Sequence, residues 1–295
     1  MRIVSLLPSA TEILFAVGAG DDVVGVTLEC DHPAEARTRT VVSTTTLPAG
    51  LSPAEIDAAV RERLAAGEDL YRLDEGALRG LDPDVVVTQD LCAVCAVDVE
   101  NVDAALAHLG CRAEVVTLDP MTLDDVLVSI ERVGAVTGTD EKAGALVNEL
   151  RSRLAAVAAA VAGRSRPRMA LLEWTDPPFA PGHWLPDMVT AAGAHPVIGA
   201  AGERSRPIGW ADLAAAQPDQ VVVVPCGYRL DGAAALTADL VAQGLLPTGA
   251  EVWAVDADAA FVRPGPRVVD GVETLAGIAH PGAVEVPADL ARRVS

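Results

Sequence analysis

Apolar residues recur at helical spacing over one long stretch of the chain: Ala143, Leu146, Val147, Leu150, Leu154, Val157 and Val161. They predict a helix from about Thr139 to Gly163. Thr139, Asp140 and Glu141 supply a capping residue and acids suited to the positive end of a helix, and Gly163, Arg164, Arg166 and Pro167 mark its stop. About 25 residues at roughly 1.5 Å each span close to 40 Å, enough to cross a domain. This helix reads as a beam joining two halves.

The halves repeat a pattern. Leu78 to Val87 matches Leu213 to Val222 as a helix end, a Pro-Asp turn and a Val-rich strand. Glu12 to Gly25 matches Asp187 to Gly199 in the same order on the other side of the beam. In the first half the apolar runs predict strands at Arg2 to Leu6, Val23 to Thr27, Val41-Val42, a step at Tyr71, Asp84 to Thr88 and Ala113 to Thr117. Helices are predicted at Ser9 to Val17, Ser52 to Ala66, Leu73 to Gly80, Val99 to Leu109 and Thr122 to Val136. Ser9-Ala10-Thr11-Glu12 and Ser52-Pro53-Ala54-Glu55 both read as capping boxes.

The second half predicts strands at Arg168 to Glu173, Gln220 to Val224 and Glu251 to Val255. Its helices are Pro186 to Ala192, Trp210 to Ala216, Gly232 to Ala242 and Pro266 to Ala279, and Trp174 to Trp184 is the least regular stretch. Strands alternating with helices imply parallel sheets covered on both faces. The expected fold is α/β: two Rossmann-like lobes, 1–120 and 166–295, a helical connector over 121–165, and a ligand cleft between the lobes.

Composition narrows the functional classes. With 295 residues, 51% of them hydrophobic, the chain can bury two cores. A net charge of −20 disfavours nucleic acid and anionic lipid. Met1 to Leu7 begins like a secretory signal but stops at Pro8, no apolar run approaches the roughly 20 residues of a membrane span, and the five cysteines suit a reducing compartment. A cytoplasmic location is expected, with no membrane insertion.

In parallel sheets ligands gather at the carboxyl ends of strands. The loops there hold the candidate site: Ser9, Glu29, Cys30, Asp31, Thr45, Tyr71, Gln89, Asp90, Leu91 and Cys92 in the first half, and Trp174, Asp176, Phe179, His183, Trp184, Arg204, Cys226, Tyr228, Phe261 and Arg263 in the second. Only 3% of the chain is aromatic, so this concentration of rings points to a flat or bulky apolar ligand. Cys92 and Cys95 form a Cys-x-x-Cys, and with Cys30 and Cys226 they could form a soft metal site; small buried cysteines are the competing reading. Trp210 and Trp253 are assigned to packing. No Gly-x-Gly-x-x-Gly, Walker loop, nucleophile elbow or His-Glu-x-x-His occurs, which leaves an enzyme reading thin.

Ile3 to Leu14, the Leu81 to Val87 strand, the single long helix and the Gln217-Pro218-Asp219 counterpart resemble the cobalamin-binding branch of periplasmic substrate-binding proteins, which serve importers of cobalamin, haem and iron-siderophores. The similarity covers essentially the whole chain. It implies binding without chemistry: a corrinoid or similar large cyclic metal chelate held by aromatic contacts and loop atoms. It also implies one glutamate per lobe for docking to a membrane permease. Gly76 and Ala211 stand at those positions, with Glu75 and Asp212 as neighbours, which calls permease docking into question. Two alternatives remain: a metal- or thiol-dependent cytosolic enzyme using Cys30, Cys92, Cys95 and Cys226, and an importer's binding protein whose signal lies upstream.

Overall fold

The computed structural model describes residues 1–89, 102, 106 and 112–295. The expected helix at Val99 to Leu109 falls mostly outside these, as do Asp90, Leu91, Cys92 and Cys95; Val102 and Leu106 are helical and buried. Compact packing divides the chain into a first unit, Met1–Asp119 with Leu127–Val147, and a second, Pro120–Val126 with Asn148–Ser295.

The first unit holds β1 (Ile3–Ser5), α1 (Pro8–Ala16), β2 (Val23–Thr27), β3 (Thr40–Thr45), α2 (Pro53–Ala66), β4 (Tyr71–Leu73), α3 (Glu75–Leu81), β5 (Val85–Thr88) and β6 (Glu114–Thr117). Its sheet runs β4-β3-β2-β1-β5-β6, parallel throughout except for the antiparallel edge strand β4. Val4, Leu6, Val42, Leu78, Val86, Val102 and Leu106 form one core cluster against this sheet. The capping box at Ser52 is present, with Glu55 returning to the Ser52 backbone. The one at Ser9 is not. Leu7 is the N-cap residue of α1, and Pro8, whose fixed φ suits the first helical position, starts the helix a residue earlier than Ser9 could. Ser9 and Glu12 are instead buried within the helix.

Two helices follow, α4 (Leu123–Thr137) and α5 (Asp140–Val161), the latter being the anticipated beam. The second unit then lays down β7 (Arg168–Leu172), β8 (Trp174–Thr175), β9 (Pro178–Ala180), α6 (Leu185–Ala191), β10 (His195–Pro196), β11 (Arg206–Pro207), α7 (Trp210–Ala215), β12 (Gln220–Val223), α8 (Leu230–Ala242), β13 (Glu251–Val255), α9 (Ala257–Ala260), α10 (Val268–Ala279) and β14 (Ala291–Arg293). Its main sheet is β10-β7-β12-β13-β14, with β14 antiparallel. Arg153 on α5 pairs with Asp270 and, through two nitrogens, with Glu273, fixing that half of the helix to α10. Those carboxylates hold the guanidinium charged well beyond its usual range.

The irregular stretch after β7 corrects the loop reading. β8 and β9 pair as an antiparallel hairpin that sets Trp174 opposite Phe179, and β11 adds a third strand. Prolines at 177, 178 and 181 hide this sheet from any alternation test, because they interrupt the period while still suiting edges and turns.

The internal repeat extends to single hydrogen bonds. The Arg2 backbone N–H donates to Asp84 Oδ2 at 2.7 Å, and the Arg168 N–H donates to Asp219 Oδ2 at 2.7 Å. Arg2 Nε donates to the Leu81 carbonyl and Arg168 Nε to that of Gln217. The turns before the two Pro-Asp steps contain left-handed residues, Asp82 (φ 41°) and Gln217 (φ 44°). Strand order matches as well, β2-β1-β5-β6 beside β10-β7-β12-β13.

Candidate ligand-binding site

Each unit has its own set of residues at the carboxyl ends of its parallel strands. In the first unit they are hydroxyls and a thiol. Thr11 Oγ1 donates to Ser5 Oγ at 2.8 Å, and Ser5 donates to the Leu7 carbonyl. Cys30 Sγ lies 2.9 Å from Thr11 Oγ1. Hydroxyl and thiol can each donate or accept in that contact. A second chain runs from Ser43 Oγ to Thr27 Oγ1 at 2.8 Å and on to Glu29 Oε2 at 2.9 Å. Ser5, Thr11, Thr27, Cys30 and Ser43 are all buried and Glu29 is half-buried. Networks of this kind hold a strand-end surface rigid, because an unmet buried hydroxyl costs about 1–3 kcal/mol.

Of the other first-half candidates, Ser9 and Gln89 are buried, and half-buried Asp31 pairs with Arg37 at 3.6 Å. Thr45 and Tyr71 sit opposite each other where β3 meets the edge strand β4. Asp90, Leu91 and Cys92 lie outside the described residues.

In the second unit the strand ends carry rings and charges. Trp174 and Tyr228 meet edge to face, ring centroids 5.9 Å apart, and both are half-buried. Burial pushes the Tyr228 phenol above its usual range, so it remains a neutral donor. Cys226, also half-buried, is fixed by its N–H to the Glu173 carbonyl. Behind Tyr228 stand two ion pairs, Arg263–Asp258 at 3.5 Å and Arg229–Asp256 at 3.9 Å. Each aspartate keeps its other oxygen on a backbone N–H: Asp258 Oδ1 accepts from Gly227 and Asp256 Oδ1 from Ala259. Burial raises the Asp258 carboxyl above its usual range while Arg263 opposes the rise.

The rest of the predicted ring set divides in two. Phe179 is half-buried beside Trp174 on the hairpin. Trp184 and Phe261 are core: Trp184 Nε1 donates to the Phe261 carbonyl at 2.7 Å, and Phe261 has no exposed surface. Aromatic content alone could not separate a ring lining a surface from a ring capping the sheet from inside. Trp253 lies within β13 and Trp210 packs on the core cluster of this unit.

His183 sits in a strained loop at φ 51°, tied through its N–H to the Glu203 carbonyl, with Nε2 buried and without a hydrogen-bond partner. Burial, and Arg204 secondarily, push its imidazole below the ordinary range. Asp176 and Arg204 are exposed. Asp256, Asp258 and Glu173, which accepts from Ser205, went unnoticed in the sequence. The available signal was the Asp-x-Asp directly after a Val-rich strand.

Among the described residues no group of three or more His, Cys, Asp or Glu is placed to hold a metal ion. Cys30 is engaged with the Thr11 hydroxyl in the first unit, Cys226 belongs to the second, and Cys92 and Cys95 are not described. No helix among the described residues is long and apolar enough to cross a membrane.

Known proteins share this fold. The chain is 27% identical over 286 residues to a cobalamin-binding protein of Halobacterium salinarum, covering 95% of this chain and 69% of that one. It is 25% identical over 299 residues to an uncharacterized ABC transporter substrate-binding lipoprotein of Bacillus subtilis, covering 95% and 80%. Among solved structures, a periplasmic heme binding protein from Pseudomonas aeruginosa superposes with a TM-score of 0.72 at 22% identity, over 100% of this chain and 98% of that one. The periplasmic vitamin B12 binding protein of Vibrio cholerae gives 0.68 at 23%, over 95% and 98%. The sequence model for periplasmic binding proteins matches residues 3–251, spanning both repeats and the long helix; the chain belongs to the periplasmic binding protein family.

Proposed function

We propose that the protein reversibly binds a corrinoid, or a similarly large cyclic metal chelate, without transforming it. The observation that carries this reading is the half-buried Trp174–Tyr228 pair at the strand ends of the second unit, flanked by Phe179. Edge-to-face rings held by a hairpin and a helix start offer apolar area in fixed positions, which suits a broad ring system. Relatives named for cobalamin and structural neighbours named for heme and vitamin B12 support the same class.

Titration with cyanocobalamin, hemin and a ferric siderophore, followed by calorimetry, tests the proposal. Saturable one-to-one binding of a macrocycle is expected. Binding of none of the three, with stoichiometric metal in protein purified without chelator, would move the reading to the thiol or metal enzyme. We place the binding in the cytoplasm as part of the same proposal, supported by the free thiols Cys30 and Cys226. Cell fractionation checks it, and recovery with the membrane or an extracytoplasmic fraction would instead support service to an importer.

A further inference from the structure

We propose that the two ion pairs behind Tyr228, Arg263–Asp258 and Arg229–Asp256, form a recognition element for primary carboxamides, so that the site selects a macrocycle with amide arms over one with carboxylate arms. This rests on the ligand class proposed above and adds the chemistry of its periphery.

A carboxylate only accepts and a guanidinium only donates. Placed 3.5 Å and 3.9 Å apart, each pair offers one acceptor beside one donor. A primary carboxamide is the complement: its NH₂ donates to the aspartate while its carbonyl accepts from the arginine. A carboxylate arm can use only the arginine and is repelled by the aspartate. The aspartates cannot swing aside without breaking further bonds, since Gly227 and Ala259 hold their other oxygens.

The two pairs sum formally to zero charge, in a chain whose net charge is −20, so the quartet has no net positive charge to favour an anionic arm. Access differs along the quartet: the Arg229 side chain is 49% exposed, whereas Arg263, Asp256 and Asp258 reach the surface only at 11% to 14%. Arg229 is therefore the member of the quartet that meets an arm first. Asp258 lies against the turn that holds half-buried Cys226 and Tyr228, accepting from the Gly227 N–H and donating its own N–H to the Tyr228 carbonyl.

The experiment compares two probes with the same corrin ring: dicyanocobinamide, which carries amide arms, and cobyrinic acid, which carries carboxylates. Wild-type protein should bind the amide form more tightly by about tenfold or more, the worth of one hydrogen bond to a charged group. Asp258→Asn removes the acceptor charge and should narrow that ratio mainly by strengthening the carboxylate probe. Because Asp258→Asn could disturb the Gly227 turn, Arg229→Gln, at the exposed member of the quartet, serves as the second variant. It should weaken the amide probe several-fold with an unchanged melting temperature. Equal affinity for the two probes, or preference for the carboxylate form, overturns the carboxamide element while leaving the ligand class standing. Failure of both probes to bind overturns the ligand class and this element with it.

Discussion

Arg2 and Arg168 open the first strand of each lobe and are fixed in the same way, by a backbone donation to an aspartate after a Pro-Asp turn and a guanidinium donation to the end of the preceding helix. At the other end of those strands the lobes part. The first closes in hydroxyl relays around Cys30, the second in rings and ion pairs around Tyr228. Their added pieces differ too. The first lobe inserts β3, α2 and β4 after its second strand, while the second inserts a hairpin between its first strand and first helix. The strand starts set register and frame, where repetition is safe, and the strand ends carry side chains of different chemistry in the two halves.

The largest effect is expected inside the second lobe. Phe261→Ala empties a fully buried site and should cost about 3–5 kcal/mol in urea unfolding. A loss under about 1 kcal/mol would show Phe261 to be a surface ring after all. In the first lobe, Thr11→Val removes the hydroxyl linking Cys30 to Ser5 and should cost about 1–3 kcal/mol. It should also raise the rate at which Cys30 reacts with a thiol reagent in a Cys30-reporting digest. Unchanged stability and reactivity would deny the network its role.

The shared frame is tested by matched substitutions. Asp84→Ala and Asp219→Ala each remove one partly solvated carboxylate acceptor and should each cost about 1 kcal/mol. Costs that diverge widely would mean that the two clamps are alike in geometry only.

The smallest effect is in acid. Burial holds the His183 imidazole below its ordinary value, so the unfolded chain takes up this proton first. Stability from this group is complete above the unfolded value of about 6.5 and is lost as pH falls from there toward the depressed folded value. His183→Asn, compatible with the left-handed backbone, should flatten that part of the stability profile. An identical slope in the variant would assign the acid sensitivity to another group.

Much of the frame was readable from sequence. Val-rich runs after Pro-Asp turns gave β5 and β12, and the caps at Thr139 and Gly163 bracketed α5 within two residues. The elements that escaped are those whose cause is tertiary. β14 exists because β13 offers it an edge, and β8, β9 and β11 because each covers the next; β8 and β11 are two residues long and have no period of their own. The cap lies at Leu7 and not Ser9 because Pro8, with φ fixed near the helical value, takes the first helical position. Residue type named Trp174, Phe179, Trp184, Tyr228 and Phe261 alike, and only the coordinates show that Trp174 meets Tyr228 while Trp184 and Phe261 are core. The Asp256 and Asp258 pairings needed coordinates, since their arginines come from two different loops.

The proposed recognition of ligand by the rings of the second lobe is tested most directly by the affinity of Trp174→Ala and Tyr228→Ala for cyanocobalamin. Each substitution removes half-buried aromatic area and should weaken binding by about tenfold or more, with a melting temperature close to that of the wild type. Wild-type affinity in both folded variants would contradict the assignment of ligand recognition to this wall.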